Sequence, residues 1–164
     1  MPEGSRQMAA LPLRLFHGTQ TSVRTYRLSS AKTERGNHPY LPGCKRFFKT
    51  GGAVGFDTLA AEVVLQLKEH LPELALMVIV PFEGQDRYFT PDSKVRYRRI
   101  LDQADEVVVL SAAYFQHCYL RRNAYLVNHA SRLIAYYDGV GIGGTSYTVR
   151  LAESKQIPVS NLFQ

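Results

Sequence analysis

Tryptophan is absent from this 164-residue sequence and cysteine occurs only twice, as Cys44 and Cys118. Two thiols cannot build a disulfide framework, and neither lies in a Cys-x-x-Cys pair or a cluster with metal-ligand spacing, so reduced thiols are expected. The five histidines supply no ligand pair, and His117 and Cys118 are too close along the chain to serve one ion; neither a metal nor a cofactor is expected. Long apolar runs are missing too. No stretch reaches the roughly 18 residues of a membrane span, and the opening residues lack the apolar block of a secretory signal. The expectation is a soluble, cytoplasmic protein with no membrane partner. The patterns G-x-G-x-x-G and G-x-x-x-x-G-K-[ST] are both absent, which excludes an ordinary dinucleotide-binding turn and a P-loop.

What the sequence does have is two glycine-rich turns: Gly51-Gly52-Ala53-Val54-Gly55-Phe56-Asp57 and Gly141-Ile142-Gly143-Gly144-Thr145. Each opens a helical pattern. Glycine lets backbone N–H groups approach a phosphate with no Cβ in the way, and the helix start behind it adds unpaired donors and the positive end of a dipole. Two such turns in one cleft would clamp a nucleotide-like ligand. The net charge of +6 is unevenly spread: residues 1–50 hold nine Lys or Arg against two Glu, while residues 51–164 hold eleven against twelve Asp or Glu. A basic arm touching nucleic-acid phosphates would explain the excess, and so would a solvated leader.

Residues 1–44 show little periodicity, with residues 11–16 as their only strand candidate, so they read as a poorly patterned basic segment before an organised unit at 45–164. From there the pattern alternates. Residues 46–49 read as a strand and residues 56–70 as a helix with Leu59, Val63 and Leu67 on its apolar stripe; residues 74–80 follow as a wholly apolar strand. After a polar stretch at 83–94, long enough for a functional loop, come a helix at 95–104, a buried strand at 106–110, a helix at 119–130 and a strand at 132–136. The second glycine turn, a helix at 145–155 and a strand at 157–159 complete the unit. Strands apolar throughout, alternating with helices, imply a mostly parallel sheet covered on both faces: a Rossmann-like α/β three-layer sandwich. Ligands in such sheets bind beyond the carboxyl ends of strands, where both turns fall.

Residues 50–62, Arg122-Asn123 and Gly143-Gly144-Thr145 together resemble, in order and spacing, the YpsA-like branch of the SLOG superfamily, over about residues 45–163. That superfamily joins DNA-processing proteins, which act on single-stranded DNA, with phosphoribohydrolases that release bases from nucleotides. The first turn and the Arg122-Asn123 pair are similar to the DNA-processing proteins; the second turn is similar to the phosphoribohydrolases. There the resemblance implies a glutamate shortly after the threonine, whereas here Ser146, Tyr147 and Thr148 follow Thr145 and no carboxylate comes before Glu153. The branch's opening Thr-Gly-His-Arg-like turn is not found either; His17-Gly18-Thr19 has the residues out of order.

The candidate ligand-binding residues are Gly51, Gly52, Ala53, Gly55, Asp57, Gln85, Arg122, Asn123, Gly143, Gly144 and Thr145. Arg122 reads as a phosphate anchor, bidentate and permanently charged. Asp57 fits either a ligand contact or a helix N-cap, Gln85 either a base-reading amide or a loop residue, and Asp138 either a ligand contact or a turn former. Arg96, Arg98 and Arg99 fit a nucleic-acid groove or a solvated helix face, with Tyr97, Ile100 and Leu101 turned inward. No catalytic residue is assigned, since cleaving an N-glycosidic bond needs a well-placed carboxylate. The leading reading is binding or sensing of a nucleotide-derived small molecule. The alternatives are a single-stranded nucleic-acid module and a phosphoribohydrolase using Asp57 or Glu62. The tyrosines of residues 114–125 fit a homodimer interface or a core equally well.

Overall fold

The computed structural model describes residues 23–28 and 46–164. In chain order these form β1 (Val23–Leu28), β2 (Arg46–Thr50), α1 (Phe56–Lys68), β3 (Leu74–Val80), a 3-10 turn (Gln85–Tyr88), α2 (Pro91–Gln103), β4 (Glu106–Val109), α3 (Cys118–Asn128), β5 (Arg132–Ala135), α4 (Gly144–Ser154) and β6 (Val159–Asn161). One six-stranded sheet runs in the order β4-β3-β2-β1-β5-β6. β2, β3 and β4 are mutually parallel, as are β5 and β6. The fold is therefore the Rossmann-like α/β arrangement, with the point where strand order reverses lying between β2 and β5.

β3 is the keystone of the sheet. Its sequence, Leu-Ala-Leu-Met-Val-Ile-Val, has no polar side and is buried along almost its whole length, as a parallel strand paired on both sides requires. Leu76, Val78 and Val80 pack with Ala61 and Val64 of α1 and Ile100 of α2. On the other half of the sheet, Leu133 and Ala135 of β5 pack with Val127 of α3 and with Val149 and Ala152 of α4. α1 packs against α2, and α3 against α4. Each buried aliphatic side chain contributes about 1.5–3 kcal/mol by leaving water.

Several expectations need correction. The core face of α1 is set by Ala60, Ala61 and Val64 rather than Leu59, Val63 and Leu67; Leu67 is 39% exposed. The two alanines are buried, while Leu59 and Val63 beside them are only half-buried. β4, expected to be buried, is the edge of the sheet, with Val107 and Val109 40% and 46% exposed. The polar stretch at 83–94 is partly helical: α2 begins at Pro91, because Thr90 Oγ1 accepts the Ser93 N–H at 3.3 Å and proline suits the first helical position.

β1 falls within residues 1–44, where the pattern leaves a first strand uncertain and marks only residues 11–16 as a candidate. It occupies the centre of the sheet and runs antiparallel to both neighbours, with Tyr26 opposite Phe48 on one side and Arg132 on the other. Arg24 and Arg27 interrupt the apolar pattern and hide the strand from a periodicity reading. The strand expected at 11–16 and the His17-Gly18-Thr19 sequence lie outside the described residues.

Candidate functional site

Both glycine turns lie beyond the carboxyl ends of β2 and β5, the two strands that flank β1. The first begins directly after Thr50, which is fully buried. Thr50 Oγ1 accepts the N–H of Gly52 at 3.3 Å and donates to the Asp57 carbonyl at 3.4 Å. Asp57 Oδ2 accepts the N–H of Ala53 at 3.2 Å, and Thr58 Oγ1 donates to the Ala53 carbonyl at 2.9 Å. Asp57 thus folds back from the first turn of α1 to brace the loop, while Gly55 is the N-cap residue. The bracing roles of Thr50 and Thr58 were missed in the sequence, although threonines flanking a glycine turn are ready formers of such local bonds.

Glycine is needed at 51 and 52 for different reasons. A Cβ on Gly51 would collide with the Arg122 guanidinium. Gly52 sits at φ 65°, the left-handed region, and a Cβ there would meet the Tyr97 ring at 2.9 Å and Val78 at 3.3 Å. The turn is also held from β3's side of the sheet: Gln85, beyond the end of that strand, donates through Nε2 to the Gly51 carbonyl at 3.2 Å and the Gly52 carbonyl at 3.0 Å.

Arg122 and Asn123 join the two turns. Successive residues on a helix point about 100° apart, so neighbours on α3 reach different places. Arg122 lies over Gly51 with Nη1 3.7 Å from Asp57 Oδ2, while Asn123 Nδ2 donates to the Gly144 carbonyl at 3.3 Å. Arg122 Nε donates to Asn123 Oδ1 at 2.7 Å, which links the two side chains. The Arg122 side chain is 7% exposed. Burial lowers its pKa, opposed chiefly by the charge of Asp57. Its Nη1 has no hydrogen-bond partner among the described residues. Tyr97 closes the far side of the first turn, its phenol pushed up to about 12 by burial and by Asp86, with Arg122 acting in the opposite sense.

The second turn is open where the first is packed. Ideal Cβ positions at Gly139, Gly141 and Gly143 meet nothing within 4 Å, and at Gly144 only Asn123 Nδ2 at 3.3 Å. α4 starts behind Gly143 with no side-chain cap and no acidic residue in its first turn. Thr145 is buried at the helix start. Val140 and Ile142 on the loop are exposed. Phe56, at the start of α1, stacks with Tyr136, just past β5, at 6.0 Å between ring centroids.

Other candidates fall elsewhere. Asp138 Oδ1 accepts the Val140 N–H at 3.0 Å, the turn-forming role. Glu62 meets Arg96 through two bonds of 2.8 and 2.6 Å between α1 and α2. Tyr97 and Ile100 face the core and Leu101 is half-buried, while Arg98 and Arg99 are exposed. A groove of about 360 Å³ lined by Glu62, Gln66, Glu69, Arg99 and Gln103 among others shares no residue with either turn. Among the described residues no group of three or more His, Cys, Asp or Glu could hold a metal ion, and no helix is long and apolar enough to cross a membrane. Residues 1–22 and 29–45, which hold part of the basic excess of residues 1–50, lie outside the described set.

The sequence profile of the YspA SLOG family matches residues 39–160. The chain is 32% identical over 108 residues to the uncharacterized SPbeta prophage-derived protein YoqJ of Bacillus subtilis, an alignment covering 56% of this chain and 61% of that protein. It is 34% identical over 112 residues to a UPF0398 protein of Halalkalibacterium halodurans, covering 67% and 59%. A UPF0398 protein of Bacillus velezensis is 30% identical over 107 residues, covering 64% and 59%. The chain therefore spans about three fifths of the length of these curated relatives.

Proposed function

The chain belongs to the YspA SLOG family, and we propose that it binds the oxyanion of a nucleotide or nucleotide-derived ligand where the two glycine turns meet. One observation carries the reading: Arg122 is buried against Gly51 with an Nη1 that makes no hydrogen bond among the described residues. A desolvated guanidinium with an unused donor is costly, and Asp57 at 3.7 Å offsets the charge without satisfying that donor. A phosphate oxygen would do both. The starts of α1 and α4, capped by Gly55 and Gly143 with no side-chain bond, add N–H groups of the same polarity. Phe56 and Tyr136 offer an aromatic wall beside them. The open second turn is the entry side, and Arg122 is the anchor at its back.

Binding without turnover is the form of the proposal. Asp57 is engaged by the Ala53 N–H and Arg122, and Glu62 by Arg96, so both carboxylates serve structural contacts. The test is a thermal-shift series with nucleoside monophosphates on the wild-type chain and on Arg122→Met and Arg122→Lys. A ligand at 100 times its dissociation constant should stabilise the wild type by about 2.7 kcal/mol, a rise in melting temperature of roughly 5–10 °C. Arg122→Met should lose most of that rise and Arg122→Lys part of it. No shift with any nucleotide sinks the proposal.

A further inference from the structure

Gln85 has a second polar atom that the turn does not use. Both hydrogens of its Nε2 are directed at carbonyl oxygens, those of Gly51 at 3.2 Å and Gly52 at 3.0 Å. Turning the amide over would set Oε1 against those two oxygens, acceptor against acceptor, so the orientation is fixed by chemistry. Oε1 is thereby held in place with no hydrogen-bond partner among the described residues, on a residue only 5% exposed. A buried carbonyl oxygen without a donor is unfavourable. The Arg122 guanidinium, also with a polar atom unused, lies against Gly51, one of these two glycines. One turn thus carries an unused charged donor and an unused neutral acceptor.

We infer that Gln85 is a specificity-determining residue: its Oε1 accepts a hydrogen bond from an N–H or O–H group that the ligand carries beside its phosphate. The inference rests on the phosphate reading above and goes beyond it, because the phosphate oxygens that face Arg122 and the helix starts are acceptors and would leave Oε1 unsatisfied. The donor is either a ribose hydroxyl or an exocyclic base amine, two sources of the same chemistry. A carboxylate at position 85 could not serve, since it would present oxygens to the Gly51 and Gly52 carbonyls. Lysine could replace the amide's donor half but has no acceptor, and methionine keeps the length while losing both.

The experiment measures the affinities of adenosine monophosphate, 2′,3′-dideoxyadenosine monophosphate, purine riboside monophosphate and inorganic phosphate on the wild type, Gln85→Lys and Gln85→Met. The wild type is expected to prefer adenosine monophosphate about tenfold or more over whichever analogue lacks the recognised donor, the worth of one buried hydrogen bond. Both variants should bind the two equally. In the wild type, the Gln85 side-chain amide resonances should also move with adenosine monophosphate and stay in place with that analogue, a readout that survives if neither variant folds. Equal affinity of the wild type for all three nucleotides, or discrimination that persists in the variants, overturns the inference while leaving the phosphate reading standing. If none of the nucleotides binds, the phosphate reading falls and this inference with it.

Discussion

At the scale of single residues, the first turn is a packing problem solved by two glycines and a cation. Gly51→Ala would drive a methyl into the Arg122 guanidinium, costing about 1–3 kcal/mol as the side chain is displaced. If displacement of Arg122 is the cause, Gly51→Ala should cost much less in an Arg122→Met background, a coupling that a double-mutant cycle in urea measures directly. Additive costs would place the strain in the backbone instead. Tyr97 supplies a second prediction. Its folded pKa, about 12, lies above the ordinary 10.0, so the folded state keeps a proton that the unfolded state gives up. The stabilisation is complete below pH 10 and is lost as pH rises from 10 toward 12. The urea midpoint should fall across that window, and Tyr97→Phe should flatten the fall; an identical decline in the variant would show that other groups cause it.

At the scale of elements, local chemistry decides where helices begin. Thr90 caps α2 and Pro91 opens it, so Thr90→Ala should cost about 1 kcal/mol, read as a lower urea midpoint at unchanged slope. A cost near zero would mean that Pro91 and tertiary packing set the start unaided. Most elements from β2 onward were legible in the sequence because apolar runs and helical spacings mark buried faces. β3 was read to the residue. The failures have physical reasons. The spacing on α1 marks its larger side chains, whereas the buried positions are Ala60, Ala61 and Val64, and the alanines carry little hydrophobic signal. β4 has the composition of an interior strand, and composition does not say which strand will be last in the sheet. β1 is interrupted by Arg24 and Arg27, and its central antiparallel place depends on pairing far along the chain. In the site, Arg122 and Asn123 were singled out as a pair, but their division of labour between the two turns follows from helix geometry and from the strand order, and only coordinates give both. Thr50 and Thr58 were passed over because hydroxyls that brace a turn look like ordinary strand and helix residues.

At the scale of the whole molecule, the sheet has two halves with separate apolar clusters, one built from α1, β3 and α2 and the other from α3, β5 and α4. Each half contributes one glycine turn at the same end of the sheet, and Arg122 and Asn123 connect them across the point where strand order reverses. A ligand held by both turns ties the halves together, so its effect on hydrogen exchange should be shared. Saturating adenosine monophosphate is expected to slow the amides of residues 51–55 and of residues 143–145 by similar factors, since both sets would be donors to one ligand. The amides lining the α1–α2 groove should keep their rates. In the absence of ligand, β3 should exchange slowest and the edge strand β4 fastest among the parallel strands, in line with their burial. Protection confined to residues 143–145 would mean that the anion stops at the open turn and never reaches Arg122. The buried guanidinium would then be a structural strut between the two halves, and the fold would carry one anion site instead of a clasp.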